Sequence, residues 1–179
     1  MIRKIEQKDI PVCLEWYNRY IENSTATFET ERLSLPQFEE RVRTVTRKYP
    51  WLILEEEGQP AGYVYLSPFM SRAAYDWTAD VSVYVDPEKR GRGYGRVLLE
   101  EIIRIAKEAG FRNLISIITS ENHASLHLHR KLGFQFSGEL KSFGYKFGTW
   151  LSVCNYTLEV NPDADVNRRP FSDQWGSEL

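Results

Sequence analysis

The sequence predicts a mixed α/β fold, in which a mostly antiparallel sheet is flanked by helices. Three observations predict it. Short apolar runs over residues 51–55, 61–67 and 80–85, separated by turns, indicate a β-meander. Apolar residues at helical spacing over residues 96–109 then indicate an amphipathic helix. A β-branched run at residues 114–118 indicates a buried parallel strand, so the sheet is expected to be mixed.

The N-terminal elements have recognisable start signals. Residues 2–5 alternate in polarity and predict a short strand. Asp9 is placed to cap a first helix that carries Pro11 in its first turn. Ser34, followed three residues later by Gln37, forms a capping-box pattern that predicts the start of a second helix.

The C-terminal elements are bounded by glycines. Gly110 follows the helix at residues 96–109 at the position where helices commonly end. Gly133 ends a shorter helix predicted over residues 122–132, and strands are predicted at residues 134–140 and 150–159. The complete predicted order is β-α-α-β-β-β-α-β-α-β-β.

Composition excludes several classes of protein. The 179 residues suit one domain, which we place at residues 1–160, and residues 161–179 lack any period and are interpreted as a tail. The formal net charge of −2 argues against nucleic-acid binding. No apolar run approaches the length of a membrane span, and the N-terminus lacks the apolar region of a signal peptide, so we expect a cytoplasmic protein with no membrane partner.

No metal site is expected either. Cys13 and Cys154 are too few for a disulfide framework or a four-thiolate zinc site. His123 and His127 have the spacing of a metal pair, but no third ligand lies nearby in the sequence. The simpler interpretation of these histidines is a polar helix face.

The most informative motif stands between the meander and the helix that follows it. It consists of Arg90, Gly91, Arg92, Gly93, Tyr94 and Gly95, followed by Arg96. Glycines let the backbone approach a ligand, and the helix start offers free N–H groups and a positive dipole end. The arginines add charge, so the motif predicts an anion site suited to a pyrophosphate; the alternative is a tight turn with solvated arginines.

Other phosphate-binding motifs do not match. A P-loop ends in Gly-Lys-Ser/Thr, which is missing here, and a dinucleotide fingerprint needs glycine where Arg96 stands. Arginine–glycine segments that bind RNA are repeated, whereas this one is single and lies between regular elements. What remains is Arg-x-x-Gly-x-Gly before a long helix.

With these motifs the chain resembles the GCN5-related N-acetyltransferase (GNAT) superfamily. Residues 90–95 resemble its acetyl-CoA pyrophosphate loop, and residues 122–134 resemble its downstream Asn-x-x-Ala…Leu-Gly-Phe segment. The resemblance extends to the branch of phosphinothricin and methionine sulfoximine acetyltransferases. It rests there on residues 17–18, 24–29, 67–69 with the Tyr75 loop, 82–85, and 144–150.

The resemblance implies a fold, a co-substrate and an activity. The sheet is expected to splay open where acetyl-CoA inserts, and a homodimer is usual in this branch. The implied activity is transfer of the acetyl group to the α-amine of a small amino acid or analogue. The residues expected to bind acetyl-CoA are Val83, Tyr84, Val85, Arg90, Gly91, Arg92, Gly93, Tyr94, Gly95, Arg96 and Asn122.

The chemistry needs a base and an acid. An ammonium with a pKa of about 10.4 must lose a proton before it attacks a carbonyl, at a cost of about 4–5 kcal/mol at pH 7, and a nearby carboxylate can take that proton. Asp80 stands where the branch usually has Glu and is the candidate base; the alternative is a carboxylate that only binds a backbone N–H. The N–H of Tyr84 or Val85 is expected to stabilise the oxyanion. His129 stands where many members of the superfamily have the Tyr that protonates the departing thiolate, so it is the candidate acid.

The candidate substrate residues come from two loops and one strand. They are Phe28, Arg72, Ala73, Ala74, Tyr75 and Lys146. Arg72 is the nearest loop cation for a substrate carboxylate, or else a solvated arginine. Phe147 stands where phosphinothricin-detoxifying members often have His, which favours methionine sulfoximine-like members.

Two other functions stay open at the level of the sequence. One is acetylation of a protein or a peptide, which needs an open groove instead of a small pocket. The other is binding of acetyl-CoA without turnover, which the shorter Asp80 and the missing Tyr favour.

Overall fold

The computed structural model describes residues 1–170. Its four α-helices within that range are α1 (Ile10–Asn23), α2 (Leu35–Thr46), α3 (Tyr94–Ala109) and α4 (His123–Lys131). Its strands are β1 (Ile2–Lys4), β2 (Trp51–Glu56), β3 (Gln59–Pro68), β4 (Thr78–Val85), β5 (Asn113–Thr119), β6 (Gln135–Lys146) and β7 (Thr149–Glu159).

The strands of the described range form one sheet in the order β1-β2-β3-β4-β5-β7-β6. All neighbouring strands are antiparallel except β4 and β5, which are parallel. The predicted fold class, the order of elements and the parallel strand are confirmed. Because the one parallel pair lies in the middle of the sheet, it separates a meander, β1 to β4, from a second antiparallel group.

Helices cover both faces of the sheet, and the alternation of β2 shows why. Trp51 and Ile53 point to the face that carries α1 and α2, where they pack in one buried cluster. Leu52 and Leu54 point to the opposite face and join the larger cluster formed with α3. A strand buried on both faces has apolar residues at consecutive positions, as β2 does.

Several elements differ in extent from the sequence-based expectation, and α3 and β6 are the two that bear on the site. Helix α3 begins at Tyr94 and not at Arg96, because Gly93 at φ +84° already makes the left-handed turn into the helix. Strand β6 runs on to Lys146, beyond the predicted residues 134–140. Most of its side chains are exposed and its pairing with β7 is interrupted, so its sequence lacks the regular alternation that predicts a strand.

The cap predicted for α1 forms differently from the expectation. Asp9 precedes the helix, but its carboxylate makes no capping bond to α1. It accepts hydrogen bonds from Arg3 at 2.6 and 2.8 Å and from the Glu6 N–H at 2.8 Å. The second helix follows the prediction, since the Ser34 N–H donates to Gln37 Oε1 at 2.8 Å.

The segment after β7 is attached to the domain by two side-chain contacts. Arg112 donates to the Pro162 carbonyl, and Arg169 forms an ion pair with Asp76 at 3.2 Å. The remainder of the predicted tail lies outside the described residues. Over residues 1–170, none of the helices combines the length and the apolar character needed to cross a membrane.

Candidate active site

The central feature of the site is a fork between the two parallel strands. Strands β4 and β5 pair only at Thr78, Ala79 and Asp80, opposite residues 113–115. Beyond Asp80 they separate, although β4 stays paired with β3 as far as Val85. The fork therefore opens a cleft in the sheet, at the position where the sequence predicts the acetyl-CoA site.

Two adjoining cavities lie in and beside the fork. The larger has a volume of about 470 Å³ and is bounded by the turn before α3, by the end of β4 and by the start of α4. The smaller has a volume of about 70 Å³ and lies between the separated strands. Both are lined by Ala26, Val83, Asn122 and Ser125, so a ligand in the larger cavity can extend into the smaller one.

The mouth of the larger cavity is built to hold an anion. Gly91 and Gly93 have φ values of +79° and +84°, and a Cβ at either position would meet nothing within 4 Å. These left-handed residues turn the chain into α3, whose first N–H groups have no partner inside the helix. Arg90 lies at the same mouth, where it stacks over the Tyr20 ring at 4.7 Å. Free N–H groups, a helix dipole and a held guanidinium suit a phosphate group.

Most of the residues predicted to bind acetyl-CoA line this larger cavity. The exceptions are Tyr84, which lines the smaller cavity, and Arg92. Arg92 instead forms an ion pair with Glu56 at 3.3 Å, and Lys89 approaches the same carboxylate at 3.5 Å. This acidic neighbour could not be predicted from the sequence, because Glu56 is distant in the chain from the turn.

Asn122 has a structural bond as well as a place in the cavity. Its Oδ1 accepts a hydrogen bond from the Ser125 N–H at 3.2 Å and so caps α4. The amide nitrogen of Asn122 is the part of the side chain that can serve a ligand. Sequence reasoning missed other residues that line the cavity, namely Tyr20, Ser24, Thr25, Ala26, Lys89, Glu121, Ala124, Ser125 and Leu128.

Asp80 lies where the two strands part and lines the smaller cavity. Burial raises the pKa of its carboxyl to about 7. Among residues 1–170 it has no hydrogen bond or ion pair that would stabilise the charged form. A carboxyl group of this kind can exchange a proton near neutral pH, which is what a general base requires.

His129 lines the same small cavity from α4. The residue is 2% exposed, and its ring packs against Phe134 with the centroids 5.0 Å apart. Its Nδ1 lies 2.8 Å from the Ser125 carbonyl, which fixes the proton on Nδ1. Nε2 is therefore a proton acceptor, and it has no partner in the described part of the chain. Burial lowers the pKa of the imidazole, which favours the neutral form of the ring.

The backbone of β4 also faces the fork. Ser116 on β5 donates to the Val81 carbonyl at 3.3 Å, which shows that the backbone groups of Val81 point toward β5. Since alternate residues of a strand direct their N–H and C=O to the same edge, those of Val83 and Val85 point the same way. The N–H of Tyr84 then points toward β3. Of the two N–H groups predicted to bind the oxyanion, Val85 is the one that faces the fork.

The predicted substrate residues separate into two groups. Arg72 precedes a short 3₁₀ helix, Ala73–Tyr75, and these four residues are exposed on the connection that leads into β4. None of them lines either cavity. Phe28 lies over Gly144 of β6, and Lys146 is buried with its ammonium bound to backbone carbonyls of the loop before α2. Contact of these residues with a substrate stays a prediction.

An open sheet that forks between two parallel strands, with a glycine–arginine turn at the mouth and a buried carboxyl in the fork, matches the architecture expected of an acetyltransferase. Comparison with known proteins agrees with that class. The family model described as acetyltransferase (GNAT) domain matches residues 2–153. The chain belongs to the GNAT acetyltransferase family.

Relatives with assigned activities are similar over most of their length. A phosphinothricin N-acetyltransferase of Streptomyces viridochromogenes is 34% identical over 85% of this chain and 83% of its own. A methionine sulfoximine/methionine sulfone acetyltransferase of Pseudomonas aeruginosa is 33% identical over 90% of this chain and 95% of its own.

Solved structures give the same result for the fold. A phosphinothricin acetyltransferase from Sinorhizobium meliloti, crystallised with acetyl-CoA, matches with a TM-score of 0.87 and 34% identity, over 90% of this chain and 88% of that one. A ribosomal-protein-alanine N-acetyltransferase from Brucella melitensis matches with a TM-score of 0.86 and 35% identity, over 89% and 99% of the two chains.

Proposed function

We propose that this protein transfers the acetyl group of acetyl-CoA to the α-amine of a small amino acid or analogue, such as methionine sulfoximine or phosphinothricin. The observation that carries the proposal is the position of Asp80. Its carboxyl has a pKa of about 7 and lies at the fork, beside a cavity large enough for an acetyl group. The relatives named for these two substrates support the substrate class.

The larger cavity accounts for the binding of the carrier. The turn at Gly91 and Gly93, the first N–H groups of α3 and Arg90 hold its diphosphate. The C=O of Val83 and the N–H of Val85 face the larger cavity along the edge of β4 that is not paired with β5, and they offer hydrogen bonds to the amide-bearing arm. Bound in this way, the thioester is directed toward the smaller cavity.

The residues of the smaller cavity move the protons. Asp80, directly or through a water, takes one proton from the substrate ammonium and leaves a neutral amine. The amine nitrogen forms a bond to the acetyl carbon while the carbon–sulfur bond breaks, and the N–H of Val83, which lines both cavities, stabilises the charge on the acyl oxygen.

His129 completes the transfer in this scheme. Nε2 accepts the second proton of the attacking nitrogen and then donates it to the departing thiolate. This order follows from the tautomer, since an Nε2 without a proton must first receive one before the histidine can act as the predicted acid. The products are an N-acetyl amino acid and free coenzyme A, and Asp80 then releases the first proton to solvent.

The chain is proposed to work as a homodimer. Strand β6 forms an open edge of the sheet, and exposed aromatic residues lie on it and on the neighbouring β7, with Phe143 of β6 at 67% and Trp150 of β7 at 64%. A long exposed edge strand with apolar side chains is a surface that natural proteins usually cover. The cytoplasmic location expected from the sequence stays a prediction.

Release of the coenzyme A thiol from acetyl-CoA tests the activity. The amines offered are methionine sulfoximine, phosphinothricin, the common amino acids and a peptide that begins with alanine. Turnover of a small amine supports the proposal. Turnover of the peptide alone favours a protein or peptide acetyltransferase, as the Brucella structure is named, and calorimetric binding of acetyl-CoA without any product favours a binding module.

A further inference from the structure

The loop between α1 and α2 forms one wall of both cavities. Its residues Ser24, Thr25 and Ala26 line the larger cavity, and Ala26 lines the smaller one as well. The loop contains no helix or strand from Ser24 to Phe28, so its position depends on bonds to the elements around it. The shape of the cleft therefore depends on whatever holds these five residues.

Strand β6 supplies the strongest of these bonds. Lys146 Nζ donates to the Ser24 carbonyl at 2.7 Å and to the Thr27 carbonyl at 2.7 Å. The side chain is buried, since the residue is 3% exposed, and the Phe147 ring lies 4.8 Å from the ammonium. Hydrogen bonds from a charged donor are about twice as strong as neutral ones. Both ends of the short loop are thus bound by one buried cation.

Gly144 holds the same loop by its lack of a side chain. A Cβ at this position would lie 2.2 Å from Phe28 Cε2 and 2.4 Å from Cδ2. Gly144 and Lys146 are two residues apart on one strand and so face the same side of the sheet. The strand receives the ring of Phe28 at one position and the carbonyls of the loop at the other.

Two weaker contacts complete the attachment. Thr119 of β5 donates to the Thr25 carbonyl, and the Tyr17 hydroxyl of α1 lies 3.0 Å from Thr27 Oγ1. Neither contact involves a charge, and neither bridges both ends of the loop. Among the side chains of residues 1–170, the ammonium of Lys146 is the one that hydrogen-bonds to both ends.

We propose that Lys146 is a positioning residue, which together with Gly144 fixes the 24–28 loop as the wall of the acyl-carrier cleft and does not bind the amine substrate. The proposal rests on the proposed acetyl-CoA site. In this proposal strand β6 controls carrier binding, although none of its residues lines either cavity. The proposal also replaces the predicted contact between Lys146 and the substrate with an indirect role.

The first test compares Lys146→Met with Lys141→Met, which removes an exposed lysine from the same strand. Hydrogen exchange of residues 24–28 is followed together with calorimetric binding of coenzyme A. We expect faster exchange in the loop and binding about tenfold weaker in Lys146→Met alone. Lys146→Arg, which keeps the charge and the donors, is expected to recover part of the binding. Unchanged exchange in folded Lys146→Met would overturn the proposal.

The second test separates positioning from contact with substrate. If Lys146 bound a substrate carboxylate, Lys146→Met would raise KM for an amino acid but not for its methyl ester. We expect instead equal losses with both amines and an increased KM for acetyl-CoA. An effect confined to the free acid would refute the proposal. Failure of wild-type protein to bind coenzyme A would refute the proposed function, while the exchange result would still test the attachment of the loop.

The third test uses a different physical route to the same loop. Gly144→Ala forces the Phe28 ring away, so it should weaken coenzyme A binding, and Phe28→Ala in the same chain should restore much of that loss by removing the clash. Additive losses in the double variant would show that the two residues do not act together. Melting temperatures of all variants identify any that fail to fold.

Discussion

The proposed role of Asp80 as a base depends on the raised pKa of its carboxyl, which its buried surroundings cause. Burial is the cause of its raised pKa, and no cation offsets it among the described residues. A carboxyl with a pKa of about 7 is charged above neutral pH and protonated below it. Asp80→Asn is therefore expected to lower kcat by about a hundredfold or more at pH 8, within the range for loss of a general base.

The pH profile distinguishes loss of the base from simple damage. Wild-type kcat should fall as the pH drops through about 7, because the base is then protonated. Asp80→Glu should keep this dependence, and Asp80→Asn should lose it. Glu108→Gln, which removes an exposed carboxylate on α3, serves as the control. The same fractional loss at every pH in Asp80→Asn would exclude Asp80 as the base.

The same pKa has a consequence for stability. The folded pKa lies above the ordinary value of 3.8, so the folded state binds a proton more tightly than the unfolded state between pH 4 and 7. The free energy of unfolding therefore decreases as the pH rises through that window, because the charged carboxylate of Asp80 is less stable in the folded protein than in the unfolded one. Asp80→Asn should be more stable than wild type above pH 7 by about 2 kcal/mol, after allowance for solvent that reaches the carboxyl. Urea unfolding at pH 4.5 and 8 measures this, and a variant less stable than wild type at both would contradict it.

The arginines of the turn are predicted to contribute unequally. Arg90 lines the larger cavity and stacks on Tyr20, whereas Arg92 is paired with Glu56 away from it. Arg90→Glu should weaken coenzyme A binding by about a hundredfold and Arg92→Glu by about tenfold or less, with both losses smaller at high salt. Isothermal calorimetry at two salt concentrations measures the difference. Equal affinity in both variants and wild type would remove the turn from the carrier site.

At the scale of elements, the start of α3 separates two uses of glycine. Gly93 has φ +84° with open space around it, while Gly95 lies inside the helix, where a Cβ would meet Leu128 Cδ2 at 3.3 Å. Gly93→Ala should lower the free energy of unfolding by about 1 kcal/mol, because it strains the backbone. Gly95→Ala should not, since alanine favours a helix, but it should narrow the cavity and weaken coenzyme A binding. Thermal melts and calorimetry of both variants check this, and a reversed pattern would contradict it.

The elements that were predictable are those with local signals. Capping at Ser34, the glycine at Gly110 and the apolar period of α3 are all present within a few residues of chain, and the structure confirms them. The length of β6 was not predictable, because an exposed edge strand has few apolar positions facing a core. The role of Lys146 was also hidden, since its partners lie more than a hundred residues away.

At the scale of the whole molecule, the site joins residues that the sequence could identify and residues that it could not. The turn before α3 is a continuous motif that sequence analysis can identify, and most of its residues line the larger cavity. The wall formed by Ser24 to Ala26 and the tautomer of His129 depend on contacts between distant elements. Exposure of Arg72 and of residues 73–75 likewise depends on how their connection packs.

The open edge of the sheet leads to the last prediction, which concerns assembly. Phe143 and Tyr145 are exposed on β6, and the Tyr145 ring lies 5.3 Å from that of Trp150 on β7. Gly144 and Lys146 face the opposite side and hold the loop, so this aromatic surface is free to meet a second copy. A stable dimer buries about 1,200 Å² or more, which an edge strand of 12 residues with aromatic side chains can supply.

Trp150→Glu combined with Phe143→Glu should give a monomer in sedimentation equilibrium, and Val166→Glu, at an exposed position elsewhere, should remain a dimer like the wild type. A wild-type monomer at micromolar concentration would refute the dimer, and because Asp80 and the turn before α3 lie within one chain, acetyl transfer would then be the work of a single subunit.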